Sequence, residues 1–371
     1  MKKYIRIPRY QSIIKNSVAR KSIADTYFDF KKEMHSIYFT SAREGFYAYL
    51  HQIKKTSQKK DVLLPGYICP SMIQVVEQAG LNIIFYDLKS QSLFPDYTDI
   101  AEKMTEETLL IVLAPYFGLW PQDNFSELFA KINCKLLLDL AQGLGTGCEL
   151  TRFDAILFSF GIGKGVDYFG GELLIKTSQD QIEIRLAYNI QSWLMDKIVN
   201  IRSIFMKWSL ANIFVYNLLN LVIQRTSEQK KQISKSLQPL SLRQATIDKI
   251  QKKTLQYLAD LEIARQRASE LYTIPEFKKY LFDKTLFSWE NSSFLRFPLL
   301  TGSKSKREFL IKYFNAKGIE LTRANEPQFS IENKNVTELN ENILKLPFLA
   351  SLSDKQYALL VNCIERINGE N

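Results

Sequence analysis

The sequence predicts an α/β protein, with a mostly parallel sheet covered by helices and a smaller α+β region after it. Three observations predict this. Short runs that are apolar on both faces, at residues 134–139, 155–160 and 170–176, suit strands of a covered, largely parallel sheet. Helical stretches alternate with such runs along the first half, which implies right-handed βαβ units. Acid- and glycine-rich turns punctuate the runs, most densely between Asp139 and Gly171.

In order, residues 1–35 form a basic segment with scattered Ile and Tyr, expected to wrap another surface or dock on a second subunit. Residues 36–41 read as a strand, and 42–53 as a helix capped by Ser41. The first turn of that helix, at Ser41, Ala42 and Arg43, offers free N–H groups and the positive end of a dipole to a phosphate, with the Arg43 guanidinium as a further donor. Ser41 can equally be a cap and nothing more. Strands follow at 61–64, 82–87 and 109–115, with helices at 71–79 and 125–132. Tyr67 and Tyr116 follow strand ends, where either can stack on a flat ligand; an aromatic there is also ordinary core. Residues 190–224 are long and apolar, but the run 208–223 is about 16 residues, shorter than the ~20 a spanning helix needs. We read an insertion (residues 185–225) buried at a subunit interface, ahead of a helix lying on a membrane. Residues 241–271 read as one long amphipathic helix capped by Ser241. Beyond it come strands at 294–300 and 319–322, a helix at 304–317 ended by Gly318, and helices at 336–345 and 353–367, the last capped by Ser353. The expected domains are therefore 36–245 and 246–371, the second reached by the long helix.

Composition narrows the function. A chain of 371 residues, 46% hydrophobic, can bury a sizeable core. The net charge of +10 resides in residues 1–60, with 14 Lys+Arg against 4 Asp+Glu; the rest balances. A basic start attracts anionic surfaces or a diphosphate, or merely aids solubility, the reading we put first. No aromatic-interleaved RNA motif or helix-turn-helix pattern supports nucleic acid. Two histidines, His35 and His51, are too few for a multi-histidine zinc centre. Four dispersed cysteines, Cys69, Cys134, Cys148 and Cys363, and no apolar leader fit reduced thiols and the cytoplasm. The glycines around Lys164 are not a P-loop, because Gly165 stands where Ser or Thr is needed.

The chemistry gathers between residues 135 and 176. In open α/β sheets ligands sit outside the carboxyl ends of strands, and Asp139, Ser159 and Lys164 all fall at such ends. Pyridoxal phosphate needs a lysine amine for its aldehyde, a carboxylate for its ring nitrogen, and hydroxyl and amide donors for its phosphate. Lys164, Asp139 and Ser159 supply those types. Singly, each is more often a loop lysine, a cap or a strand-end serine. The order and placement favour the cofactor.

Asp139-Leu-Ala-Gln-Gly-Leu-Gly145, Phe158-Ser-Phe-Gly-Ile-Gly-Lys164 and Gly170-Gly171 together resemble the core signature of the DegT/DnrJ/StrS family. Leu64-Pro-Gly-Tyr-Ile-Cys69, Ala114-Pro-Tyr-Phe-Gly118 and Leu346-Pro-Phe-Leu-Ala-Ser-Leu-Ser353 are similar to its flanking segments. The resemblance implies a seven-stranded sheet of the fold-type I transferases that use pyridoxal phosphate, with Lys164 catalytic and Gln142 at the ring hydroxyl. It implies a homodimer that moves an amino group from glutamate to a nucleotide-linked keto sugar in polysaccharide, lipopolysaccharide or deoxy-amino-sugar synthesis. Where the family carries Asn-Tyr-Arg, this chain reads Leu237-Gln-Pro239. A pyridoxal-phosphate enzyme on a non-sugar substrate, and a catalytically quiet partner- or membrane-binding relative, are the competing readings. Arg296 and Arg323 are candidates for a carboxylate or diphosphate, with surface ion pairing the more ordinary role.

Overall fold

The computed structural model describes residues 34–130, 132–147, 149–161, 163–176, 237, 239–323 and 333–367. The basic segment to residue 33, the apolar insertion and Gln238 lie outside them. The first half runs β1 (Met34–Phe39), α1 (Ala42–Lys55), β2 (Asp61–Pro65), α2 (Pro70–Gln78), β3 (Asn82–Tyr86), α3 (Tyr97–Lys103) and β4 (Thr108–Leu113). It continues with β5 (Trp120–Pro121), α4 (Ser126–Phe129), β6 (Lys135–Asp139), β7 (Ala155–Ser159) and β8 (Gly171–Lys176). Seven of these strands form one sheet in the order β1-β8-β7-β6-β4-β2-β3. Strands β3, β2, β4, β6 and β7 pair in parallel, and β8 runs antiparallel to both β7 and β1. The reversal follows from chain length. Only residues 160–170 join β7 to β8, fewer than a parallel crossover needs.

Both sheet faces are covered. On one, Phe46, Tyr49, Leu50 and Ile53 of α1 and Val75 and Val76 of α2 pack over Leu64, Val112, Leu137, Leu157 and Leu173. On the other, Leu63, Ile111, Leu138, Ile156 and Leu174 join an apolar cluster continued by the second half of the chain. That half runs α5 (Gln244–Ala259), α6 (Leu261–Thr273), β9 (Phe287–Ser288), β10 (Phe297–Leu300), α7 (Lys304–Ala316), β11 (Thr322–Arg323), α8 (Lys334–Asn342), β12 (Ile343–Leu346) and α9 (Asp354–Glu365). An antiparallel sheet β10-β12-β11 lies at its centre, while β9 pairs with β5.

Several expectations need correction. The long helix 241–271 is two helices meeting at Asp260, whose amide donates to Tyr257 O at 3.0 Å, a three-residue step that interrupts the α ladder. Ser241 is not its cap. It bridges Phe39, and the flanking bonds Thr40 N to Leu240 O (3.0 Å) and Leu242 N to Tyr38 O (3.2 Å) bind that segment to the edge of β1. The cap position falls to Arg243. The helix expected to 345 stops at Asn342, because Ile343, Leu344 and Leu346 bury themselves in the middle strand of the small sheet, where pairing on both sides outweighs helix propensity. The strand expected at 319–322 shrinks to Thr322–Arg323, and the helix expected at 125–132 to Ser126–Phe129. Helix α3 was not anticipated; Asp96 caps it by accepting from the amides of Thr98 (3.0 Å) and Asp99 (3.4 Å).

Candidate active site

The carboxyl ends of β1, β6 and β7 and the start of β8 reach one edge of the sheet. Register fixes this, since Asp139 lies opposite Leu157, Ser159 opposite Gly171, and Ser41 bridges Gly170. Asp139, Ser159 and Ser41 therefore line up along neighbouring strand ends.

Asp139 is 9% exposed and accepts the Ala141 amide at 2.9 Å. Burial pushes its carboxyl above the ordinary range, while the Ala141 amide and the Lys164 charge pull it back. Lys164 sits in the loop from Gly161 to Gly165, its amide donating to Gly161 O at 3.1 Å. The Gly163 amide donates to Asp167 Oδ1 at 3.1 Å. Gly165 abuts Tyr257, where a Cβ would stand 2.8 Å from the phenol ring. Burial shifts the lysine amine toward its neutral form, with a smaller push from Arg296, against the pull of Asp139 and Cys69. Amine and carboxylate thus lie close enough to feel each other's charge.

Helix α1 opens at the same edge. Ser41 is extended (φ −154°, ψ 156°), and its hydroxyl accepts the Glu44 amide at 3.4 Å. The amides of Ala42 and Arg43 lie in the first turn, where a helix has no acceptor of its own. Gly171 brings β8 against this turn, because a Cβ there would stand 2.4 Å from the Ala42 nitrogen. The Ser159 side chain is half-buried at the end of β7, and Arg43 is exposed. Glu44 turns away, its carboxyl taking the Thr40 hydroxyl and the Leu240 amide.

Gln142 is half-buried in the turn after Asp139. Tyr67 and Tyr116 are both buried after β2 and β4, their rings edge-to-face at 5.0 Å. The Tyr116 hydroxyl donates to the Tyr67 carbonyl, and the Asp139 charge helps hold that phenol above its usual range, after burial. The two arginines part ways. Arg323 pairs with Glu308 at 2.8 Å in an exposed bridge. Arg296 comes to the lysine loop, where its guanidinium donates to Gly163 O at 2.9 Å. The Tyr257 contact with this loop escaped the sequence reading, because a residue far along the chain supplies it.

The set fits a pyridine aldehyde phosphate. A desolvated carboxylate suits a ring nitrogen that carries a proton, an amine that burial shifts toward its neutral form suits an aldehyde, and helix amides with two serines suit a phosphate.

Comparison with known proteins agrees. Residues 16–199, about half the chain, match the DegT/DnrJ/EryC1/StrS aminotransferase family. No curated protein matches the sequence. Similar solved structures include the aminotransferase TlmJ from Streptoalloteichus hindustanus, at 15% identity and a TM-score of 0.68 over 98% of this chain and 99% of that one. The sugar aminotransferase CalS13 from Micromonospora echinospora gives 14%, 0.66, 97% and 99% in the same order. Helicobacter pylori PseC, an aminotransferase involved in the biosynthesis of pseudoaminic acid, gives 12%, 0.65, 99% and 100%. At such identities the likeness is one of fold.

Proposed function

The chain belongs to the DegT/DnrJ/EryC1/StrS aminotransferase family, and from that premise we propose that it moves an amino group from glutamate to a nucleotide-linked keto sugar. The enzyme depends on pyridoxal phosphate. The observation that carries the reading is that Lys164 and Asp139 feel each other's charge, with Asp139 on the strand edge where Ser41 opens α1. Sugar aminotransferases of the same fold support the acceptor class.

The cofactor supplies an aldehyde for an amine and a ring that disperses negative charge from the donor's Cα. In this proposal Lys164 would hold the aldehyde and, as a free amine, would take the proton from that Cα; the burial that lowers its pKa favours the neutral form a base requires. Asp139 would keep a proton on the ring nitrogen, and burial would strengthen that pairing by excluding water. Ser41, Ser159, the amides of Ala42 and Arg43, and the Arg43 side chain would hold the phosphate. Gln142 would serve the ring hydroxyl, and Tyr67 would pack beside the ring. We place the enzyme in the cytoplasm as a homodimer; sedimentation of the purified chain as a monomer would remove the second statement.

The test is amination of a panel of nucleotide-linked 3-keto and 4-keto sugars with glutamate, read by mass spectrometry. The wild type converts at least one sugar and Lys164→Ala none. Wild-type protein that consumes glutamate and leaves every sugar unchanged points to a non-sugar acceptor. Protein that takes up no cofactor points to a quiet relative.

A further inference from the structure

Away from the lysine crevice the chain builds a second concave site. A cleft of about 240 Å³ opens where α8, the end of β10 and the turn after β3 meet. None of the residues placed around Lys164 lines it. Helix α8 presents Asn335, Glu338, Leu339 and Asn342 to the cleft, and their spacing puts all four on one helix face. Leu339, with Leu281 and Leu300, gives the cleft an apolar wall.

The polar groups are held in place. Asn342 ends α8, and its carbonyl accepts both the amide and the hydroxyl of Thr301 at 2.8 Å. The residue is only 9% exposed. Its side-chain amide makes no hydrogen bond among the described residues, and its polar atoms are reachable from the cleft it lines. A carboxamide buried to this degree calls for a partner. Asn335 is oriented as well, since its Nδ2 donates to Leu88 O at 2.9 Å and leaves Oδ1 for the cleft. Glu338 and Lys279 stand exposed at the rim, one of each sign. Gly302 keeps the mouth open, with no atom within 4 Å of where a Cβ would be.

We propose that this cleft binds a neutral sugar ring, in a site separate from the one that carries Lys164. Opposite charges at an exposed rim cancel and contribute little, so an ionic ligand gains no advantage there. Carboxamides donate and accept at once, as adjacent hydroxyls require, and the leucines suit the C–H face of a ring. The volume lies below the roughly 300–1,000 Å³ of pockets for drug-sized ligands, which fits one ring and leaves no room for an attached nucleotide.

The experiment titrates the cofactor-loaded full chain with glucose and with N-acetylglucosamine, read by saturation-transfer NMR. Inorganic phosphate and trimethylglycine, a zwitterion without a reactive amine, are the ionic controls. Wild type is expected to bind at least one of the two sugars. Asn342→Leu is expected to bind it about tenfold more weakly, with the cofactor absorbance unchanged. Glu338→Ala alters an exposed residue and is expected to weaken the same binding about threefold; it carries the comparison should Asn342→Leu fail to fold. Binding of neither sugar by wild type overturns the proposal, as does equal sugar binding by wild type and both variants. Tighter binding of phosphate or trimethylglycine than of sugar, weakened by the same variants, assigns the cleft to an ionic ligand and overturns it too. Protein that takes up no cofactor overturns the aminotransferase reading alone, because the titration needs no turnover and still decides this one.

Discussion

A lysine surrounded by packed side chains gives up its proton more easily than one in water, and a carboxylate so placed holds its proton longer. Lys164 and Asp139 show both effects at one strand edge. Removing Arg296 takes a like charge from beside the amine, so the Lys164 pKa rises and the amine needs higher pH to become a base. Glycine sets the other end of the site. At Gly171 an added Cβ would stand 2.4 Å from the Ala42 nitrogen, and backbone cannot swing aside as a side-chain tip can. Gly171→Ala is therefore expected to lower stability by about 1–3 kcal/mol and to weaken cofactor binding, read by chemical denaturation and absorbance titration. Unchanged stability would show that β8 and α1 can separate freely. Asp139, Lys164 and Ser159 were legible because strand ends and residue type together name a chemistry. Arg296 was legible only as one of two candidate arginines, because its place depends on Phe117 and Gly118, nearly 180 residues earlier in the chain.

Elements were legible wherever a local signal agreed with burial. Ser41 caps α1 and Ser353 caps α9 with a full capping box, as their spacing foretold. The signal failed where tertiary pairing chose the structure, as in Ile343–Leu346, or where a cap comes from elsewhere. Helix α8 illustrates the second case. Asp87, just after β3, accepts the amides of Asn335 (3.1 Å) and Val336 (3.0 Å), so a carboxylate some 250 residues away caps the helix. Asn333 and Asn335 return bonds to Tyr86 O (3.0 Å) and Leu88 O (2.9 Å). This polar clamp ties α8 to the end of a large-sheet strand. Asp87→Ala is expected to cost about 1–2 kcal/mol, with Asp87→Asn losing less. Equal stability of wild type and Asp87→Ala in urea would show that the clamp contributes nothing.

For the molecule as a whole, the alternation of apolar runs and helices was enough to predict the covered sheet, and the short β7–β8 connection explains its one reversed strand. What could not be read was how the second half closes on the first. Side chains from both, including Leu138, Ile156, Leu258, Leu261 and Phe348, share one apolar cluster, and sequence periodicity shows that a face is buried without showing against what. That shared packing sets Tyr257 against Gly165 and carries Arg296 to the lysine loop, so residues of the second half border the candidate site on the first. The account depends on which lysine bears the cofactor. Borohydride reduction of the loaded enzyme followed by peptide mapping reads this directly. The account predicts the cofactor's mass on the peptide containing Lys164 and its loss in Lys164→Ala; the mass on another lysine, or on none, would contradict it.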